Sequence, residues 1–148
     1  MTQDLTTGQR ILALDYGTVR IGAAVSDPMR IIATAIETLS NGPELKNRIG
    51  KILTDYNVGM VVVGIPRTTR GTDSAKTDEV HAFVGRLRSW FAVPIRTWDE
   101  RYTSVMARQS MIDIGVPRMK RREKGRVDQI AAAITLQGFL DAKGYEQR

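Results

Sequence analysis

Residues 11–27 have the sequence ILALDYGTVRIGAAVSD, which predicts two β-strands joined by a tight turn. The run before Asp15 is apolar on both faces, as in a central strand that is covered on each side. Gly17 permits the turn, so the second run is expected to pair with the first as a hairpin. Asp15 is unusual in this strand, because an ionised carboxylate moved out of water without a partner costs several kcal/mol. It either starts the turn by bonding the backbone at Gly17 or belongs to a site.

The rest of the chain alternates strand and helix patterns, with no linker that would divide it. Three further strands are predicted, at 31–39, 58–65 and 94–98. Four helices are predicted, at 43–56, from about 72 to about 91, from about 103 to 114, and at 126–143. The N-cap of the second helix is Thr72, Asp73 or Ser74. The order β-β-β-α-β-α-β-α predicts an α/β fold with a mixed five-stranded sheet flanked by helices. We expect one domain over residues 1–148, with loosely ordered tails at 1–9 and 142–148.

Composition limits the possible chemistry. The chain is 42% hydrophobic and 26% charged, which is typical of a soluble globular protein, and it contains no Cys. Disulfides and thiolate metal sites are therefore excluded, and a cytoplasmic location is expected. The single histidine, His81, lies in a helical pattern, which argues against zinc sites and Ser-His-Asp triads. Carboxylates, hydroxyls, Arg and Lys must carry any chemistry.

Positive charge is concentrated in residues 117–126, PRMKRREKGR, called the basic segment below. It contributes +5 of the formal net charge of +6. A local excess of this kind is what binding to a phosphate backbone requires, because each neutralised phosphate releases counterions. A solvated loop without a partner and an anionic membrane surface remain alternatives. The basic segment has no aromatic residue, so it gives no support to base stacking.

Four acids occupy positions that the predicted fold could bring together: Asp15 on the first strand, Asp99 and Glu100 after the fifth, and Asp128 on the first turn of the last helix. Each alone has an ordinary explanation as a turn residue, a loop acid or a partner of a helix dipole. They converge if strands one and five are near neighbours and the last helix packs over them. Carboxylates held together need a divalent cation, and Mg²⁺ or Mn²⁺ suits an oxygen-only site.

Four stretches resemble, in order and spacing, the YqgF family of bacterial proteins: DYGTVRIGAAVSDP, VVVGIPRTTRGT, WDERYTS and RVDQIAAAITLQGFL. The family is described as pre-16S rRNA nucleases and as Holliday-junction-resolvase-like. The resemblance covers about Arg10 to Leu140. It implies a ribonuclease-H-like fold and a metal-dependent nuclease that hydrolyses phosphodiester bonds, acting in 5′-end processing of precursor rRNA.

The resemblance also implies site residues. The acidic triad of the family falls on Asp15, Glu100 and Asp128, as catalytic residues and ligands of Mg²⁺ or Mn²⁺, which selects Glu100 over Asp99. With three acids, we expect one metal ion held firmly and a second bound only with substrate. Apart from the resemblance, candidate phosphate contacts are Arg20, Arg67, Arg70 and Arg101, together with Lys120, Arg121, Arg122, Lys124 and Arg126 of the basic segment. For each of the first four, an ion pair with a neighbouring acid is the alternative.

Three alternatives follow from the same residues. The first is a four-way-junction resolvase, which would act on branched DNA as a stable dimer. The sequence is compatible with a monomer and with a homodimer. The DYGT stretch also resembles the phosphate loop of actin-like and sugar-kinase ATPases, but 148 residues leave no room for their second lobe. The third alternative is a non-catalytic nucleic-acid-binding module in which the acids serve structure alone.

Overall fold

The computed structural model describes residues 5–65, 75–100 and 124–142, with the side chains of 75 and 124–128 left outside the description. The described residues form five strands and three helices. In chain order these are β1 (Arg10–Asp15), β2 (Arg20–Ser26), β3 (Ala33–Ser40), α1 (Leu45–Asp55), β4 (Val58–Ile65), α2 (Ala75–Trp90), β5 (Ile95–Asp99) and α3 (Lys124–Asp141). The predicted N-cap at 72–74 and the predicted helix from Thr103 lie outside the described residues.

The strands form one mixed sheet in the order β3-β2-β1-β4-β5. The pairs β1–β2 and β2–β3 are antiparallel, whereas β1–β4 and β4–β5 are parallel. The prediction of a mixed five-stranded sheet with β1 at its centre is therefore confirmed. Convergence of the acids was conditional on strands one and five being near neighbours, and in the sheet they are separated by one strand, β4.

Each face of the sheet has its own apolar core, which is why β1 and β4 are apolar on both sides. Helices α1 and α2 cover one face, where Leu12 and Leu14 are buried with Phe83 of α2. Helix α3 covers the other, where Ile11 and Ala13 are buried with residues of α3. Full burial of one large apolar side chain contributes about 1.5–3 kcal/mol, so the two cores hold the helices on the sheet.

The helical periodicity seen in the sequence matches the buried faces. The apolar residues of α2 that recur at helical spacing, Val80, Phe83, Val84 and Leu87, are all buried. His81 lies between these positions and is exposed on the helix surface. None of the helices in the described part of the chain is long and apolar enough to cross a membrane.

Strand β3 begins at Ala33, two residues later than the apolar pattern from Ile31 predicts. The reason is Asp27, whose Oδ1 accepts hydrogen bonds from the backbone N–H groups of Ile31 (2.7 Å) and Ile32 (2.8 Å). Its Oδ2 accepts a third from Met29, at 3.1 Å. The carboxylate thus captures donors that a strand would need, and the 27–32 loop keeps both isoleucines exposed.

Helix α3 begins at Lys124, two residues before the predicted start, so the end of the basic segment is helical rather than loop. Gln137 joins this helix to the beginning of β3, the strand at one edge of the sheet. Its Oε1 accepts a hydrogen bond from the Ala33 N–H (2.9 Å), and its Nε2 donates to the Ile31 carbonyl (2.9 Å). At the other terminus Leu5, assigned by the sequence to a tail, packs against the α3-side core.

Candidate active site

Asp15 is the last residue of β1 and lies on the face of the sheet that α3 covers. Side chains alternate along a strand, and Ile11 and Ala13, which precede it at intervals of two, belong to the core under α3. Its antiparallel partner on β2 is Gly22. On that side the strand neighbour of Asp15 therefore presents no side chain, and the Asp15 carboxylate is only half-buried.

On the other side, the neighbour of Asp15 is Gly64 of β4. The parallel ladder pairs Leu14 with Val63, so the next residues along, Asp15 and Gly64, lie side by side at the carboxyl ends of two parallel strands. Adjacent strands are about 4.8 Å apart. Functional groups gather at this end of parallel strands, because the connecting loops leave it open to a ligand.

Glu100 reaches the same place from β5. It follows directly after that strand, and the β4–β5 ladder pairs Gly64 with Trp98, two residues before Glu100. The Oε1 atom of Glu100 lies 3.0 Å from the point where a Cβ on Gly64 would be. The structure thus places the Glu100 carboxylate above Gly64, which is the neighbour of Asp15 on β4, although a whole strand separates β1 from β5. Asp99 occupies the alternate position, on the opposite face of β5.

Asp128 lies in the second turn of α3, because the helix starts earlier than predicted. Its side chain is outside the described residues. The backbone position is informative, since Thr135 follows seven residues later and therefore lies on the same side of the helix. The Thr135 Oγ1 is 3.3 Å from the Cβ point of Gly64, so this side of α3 faces the Glu100 carboxylate.

Among the candidate phosphate contacts, Arg20 is the one whose side chain is described. It begins β2, two residues before Gly22, and therefore belongs to the same face and the same end of the sheet as Asp15. Lys124 and Arg126 lie in the first turn of α3, with their side chains outside the description. The remaining candidates lie outside the described residues: Arg67, Arg70, Arg101, Lys120, Arg121 and Arg122.

The β1–β2 turn that follows Asp15 is held in place by Asn41, a residue that sequence reasoning did not identify. Its Nδ2 donates to the Gly17 carbonyl and its backbone N–H donates to the Val19 carbonyl, both at 2.9 Å. A Cβ on Gly17 would overlap the carbonyl oxygen of Arg20, so this turn requires glycine. The Asn-Gly pair after β3 was the available signal, since it indicates a specific turn.

The donor chemistry at this end of the sheet suits a hard divalent cation. Asp15 and Glu100 offer carboxylate oxygens, and the chain has no thiol. The one imidazole, His81, lies on α2, which packs on the opposite face. No group of three potential metal ligands occurs among the described residues, to which the Asp128 side chain does not belong. Two acids of the predicted triad thus lie at the same end and on the same face of the sheet, and the third belongs to α3, the helix that covers this face.

Comparison with known proteins identifies the family. The profile of the family "RuvX: Holliday junction resolvase" matches residues 9–142. A protein of Desulforamulus reducens named "Putative pre-16S rRNA nuclease" is 37% identical over 135 residues, which cover 90% of this chain and 97% of that protein. A protein of the same name from Roseiflexus is 40% identical over 136 residues, covering 90% of this chain and 95% of its own.

Solved structures agree on the fold. The structure of Thermus thermophilus RuvC with a Holliday junction substrate aligns with a TM-score of 0.59 at 14% identity, over 91% of this chain and 96% of that chain. A second structure of T. thermophilus RuvC aligns with a TM-score of 0.57, over 91% of this chain and 97% of that one. The ribonuclease-H-like fold implied by the sequence is therefore confirmed. With a family profile that spans nearly the whole chain, this protein belongs to the RuvX family, the YqgF family that its motifs resemble.

Proposed function

We propose that this protein is a divalent-metal-dependent nuclease that hydrolyses phosphodiester bonds, and that its substrate is 5′-extended pre-16S rRNA. The observation that carries the proposal is the position of the Glu100 carboxylate, which lies over Gly64 beside Asp15 at the carboxyl end of β1 and β4. The name of the nearly full-length relatives supports rRNA as the substrate.

In this proposal, the carboxylates of Asp15, Glu100 and Asp128 hold Mg²⁺ or Mn²⁺. When bound, such an ion activates a water molecule and stabilises the leaving oxygen of an in-line displacement. Asp15 supplies a ligand from a rigid central strand, whereas Glu100 and Asp128 approach from a strand end and a helix. Since the three acids would otherwise repel a phosphodiester, the cation also lets the anionic substrate enter.

Basic side chains bind and orient the nucleic-acid backbone. Arg20 lies at the same end of the sheet as Asp15, while Lys124 and Arg126 occupy the first turn of α3, directly before Asp128. The rest of the basic segment leads into this turn along the chain. We propose that these residues, with Arg67, Arg70 and Arg101, hold phosphates on either side of the cleaved bond through charge-assisted hydrogen bonds.

The test is cleavage of 5′-extended pre-16S rRNA by wild type, Asp15→Asn, Glu100→Gln and Asp128→Asn in Mg²⁺ and in Mn²⁺. Each substitution keeps the shape of the side chain and removes its charge. We expect losses of about 100-fold or more, because metal-ion catalysis supplies several kcal/mol and each 1.4 kcal/mol is a factor of ten.

Two control variants make the result specific. Asp55→Asn changes an exposed acid of α1, on the far face of the sheet, and should leave the rate unchanged. Asp99→Asn changes the acid adjacent to Glu100 but on the opposite face of β5, and should keep most of the activity. Full activity in a folded Asp15→Asn, Glu100→Gln or Asp128→Asn variant would remove that residue from the site. Normal nucleic-acid binding with no cleavage by wild type would leave a non-catalytic binding module.

A second candidate, cleavage of four-way DNA junctions, is favoured by the description of the matching family. A resolvase needs two sites related by a two-fold axis to cut a symmetric junction. Gel filtration together with cleavage of a four-way junction, run beside the rRNA substrate, separates the two functions. A monomer that cuts the rRNA precursor and spares the junction supports rRNA processing, and a dimer with the reverse preference supports resolution.

A further inference from the structure

We propose that Gly64 and Thr135 are positioning residues for Glu100: the absent side chain at residue 64 creates the space that the carboxylate occupies, and the Thr135 side chain closes it from above. The inference rests on the proposed function, because it concerns a carboxylate that would bind the metal. It assigns a role to one residue at the carboxyl end of β4 and to one in the middle of α3.

The geometry comes from the surroundings of Gly64. A Cβ at this position would lie 3.0 Å from Glu100 Oε1, 3.2 Å from Thr135 Cγ2 and 3.3 Å from Thr135 Oγ1. These distances are shorter than ordinary van der Waals contacts of about 3.5–4.0 Å. The carboxylate and the threonine side chain therefore border one gap above Gly64, and even a methyl group does not fit there without displacement.

The two side chains that border the gap, those of Thr135 and Glu100, differ in how freely they can move. Thr135 is 4% exposed and lies between Ala132 and Leu136, which are fully buried in the α3-side core. The hydrogen bonds of Gln137 with Ala33 and Ile31 hold the same stretch of helix. Glu100 is half-buried, and the atom at the gap is the end of its side chain. A methyl group at residue 64 is therefore expected to move the carboxylate more than the helix.

Because the carboxylate moves more easily than the helix, a substitution at residue 64 is predicted to change metal affinity without preventing folding. Gly64→Ala should fold, while Mn²⁺ affinity falls about 10-fold or more, as is typical when the support of a metal ligand is removed. Thr135→Ala should also weaken Mn²⁺ binding, because it removes both atoms that close the gap. Thr135→Val keeps the branched shape, and should retain wild-type affinity.

The measurement is Mn²⁺ binding to the full chain without substrate, by isothermal titration calorimetry, with the melting temperature of each variant measured in EDTA. The matched control is Gly59→Ala, on the same strand. A Cβ there would also be crowded, at 2.5 Å from Gln9 Oε1 and 2.7 Å from Leu5 Cδ2, but its neighbours are remote from Glu100. Gly59→Ala should keep wild-type Mn²⁺ affinity whatever its melting temperature.

A double-mutant cycle completes the test. In a Glu100→Ala background, Gly64→Ala should cause no further loss of Mn²⁺ affinity, because the displaced group is gone. Equal losses in both backgrounds, or an unchanged affinity in Gly64→Ala, would overturn the positioning role. Unchanged Mn²⁺ binding in Asp15→Asn and Glu100→Gln would instead overturn the proposed metal site itself, so the two failures are distinguishable.

Discussion

A carboxylate in an apolar strand is tolerated at Asp15 because of what its neighbours lack. The residues beside it on the adjacent strands are Gly22 and Gly64, so no side chains seal it from the end of the sheet. Asp15 keeps a half-exposed carboxylate although the four residues before it are fully buried. The partial exposure of this carboxylate thus reduces the desolvation cost that a fully buried charge would carry.

Asp27 gives a prediction for the dependence of stability on pH. Burial by itself would raise the pKa of this carboxyl, but hydrogen bonds from the backbone N–H groups of Ile32, Ile31 and Met29 lower the pKa below its usual 3.8. A lowered folded-state pKa adds stability above the unfolded-state pKa, and this stability is lost as the pH falls through the folded-state value. Urea unfolding should show wild type more stable than Asp27→Asn near neutral pH, with a difference that shrinks below about pH 4.

The control for Asp27 is the same comparison over the neutral pH range. There the Asp27 carboxyl is ionised in both the folded and the unfolded wild type, so the difference in stability between wild type and Asp27→Asn should be constant. If the difference in stability between wild type and Asp27→Asn persists unchanged into strong acid, it does not come from hydrogen bonds to the ionised carboxylate, and the prediction is wrong.

Residues of the proposed site differ in how far the sequence could identify them. Asp15 could be found, because a charge in an apolar strand conflicts with its surroundings. Choosing Glu100 over Asp99 required either the family motif or the exact face of β5, since adjacent residues point to opposite sides. Gly64 and Thr135 could not be found, because the gap they border exists only after β4, β5 and α3 have packed together.

At the scale of elements, Gln137 is the residue that ties α3 to the sheet edge. We expect Gln137→Leu to lower the free energy of unfolding by about 2 kcal/mol, because the buried Ala33 N–H and the Ile31 carbonyl lose their partner. The measurement is urea denaturation followed by circular dichroism. Gln129→Leu is the matched control, a half-buried glutamine of the same helix, with an expected change within about 0.5 kcal/mol.

Helices and strands with strong periodicity were predictable, and their ends were less so. Strand β4 spans Val58–Ile65, which is the predicted range, because an uninterrupted apolar run is typical of a strand buried on both faces. The start of β3 was wrong because a side chain 4–5 residues upstream captures the backbone donors. Such competition between side chain and backbone is invisible to hydrophobic patterns. The start of α3 was missed because the basic segment carries no apolar signal.

For the molecule as a whole, the basic segment and the candidate site are joined by α3, which begins in one and carries Asp128 of the other. The proposed function then predicts a salt-dependent association. The triple variant Lys120→Ala/Arg121→Ala/Arg122→Ala should bind a four-way DNA junction or an rRNA fragment more weakly. The slope of log K against log salt should fall by about 2–3, since each lost phosphate contact removes about 0.7–0.9.

The measurement is fluorescence anisotropy in EDTA, which prevents cleavage, at several salt concentrations. A matched triple variant, Lys46→Ala/Lys51→Ala/Lys76→Ala, removes the same charge from exposed positions of α1 and α2 on the other face of the sheet. It should change the slope little. Equal effects of the two triple variants would mean that overall charge, rather than the basic segment, governs binding.

The path of α3 has a consequence for how the protein is made. Gln137 contacts residues 104 and 106 positions earlier in the chain, and α3 covers the first three strands. While the chain is being synthesised, the β1–β2–β3 meander therefore leaves the ribosome before α3, the helix that covers one of its apolar faces, has been made. Contacts between residues so distant in sequence slow folding, and apolar surface stays exposed until they form. Nascent chains of this protein should thus depend on chaperones that shield apolar strands, and ribosome-bound chains that stop before α3 should be captured by them.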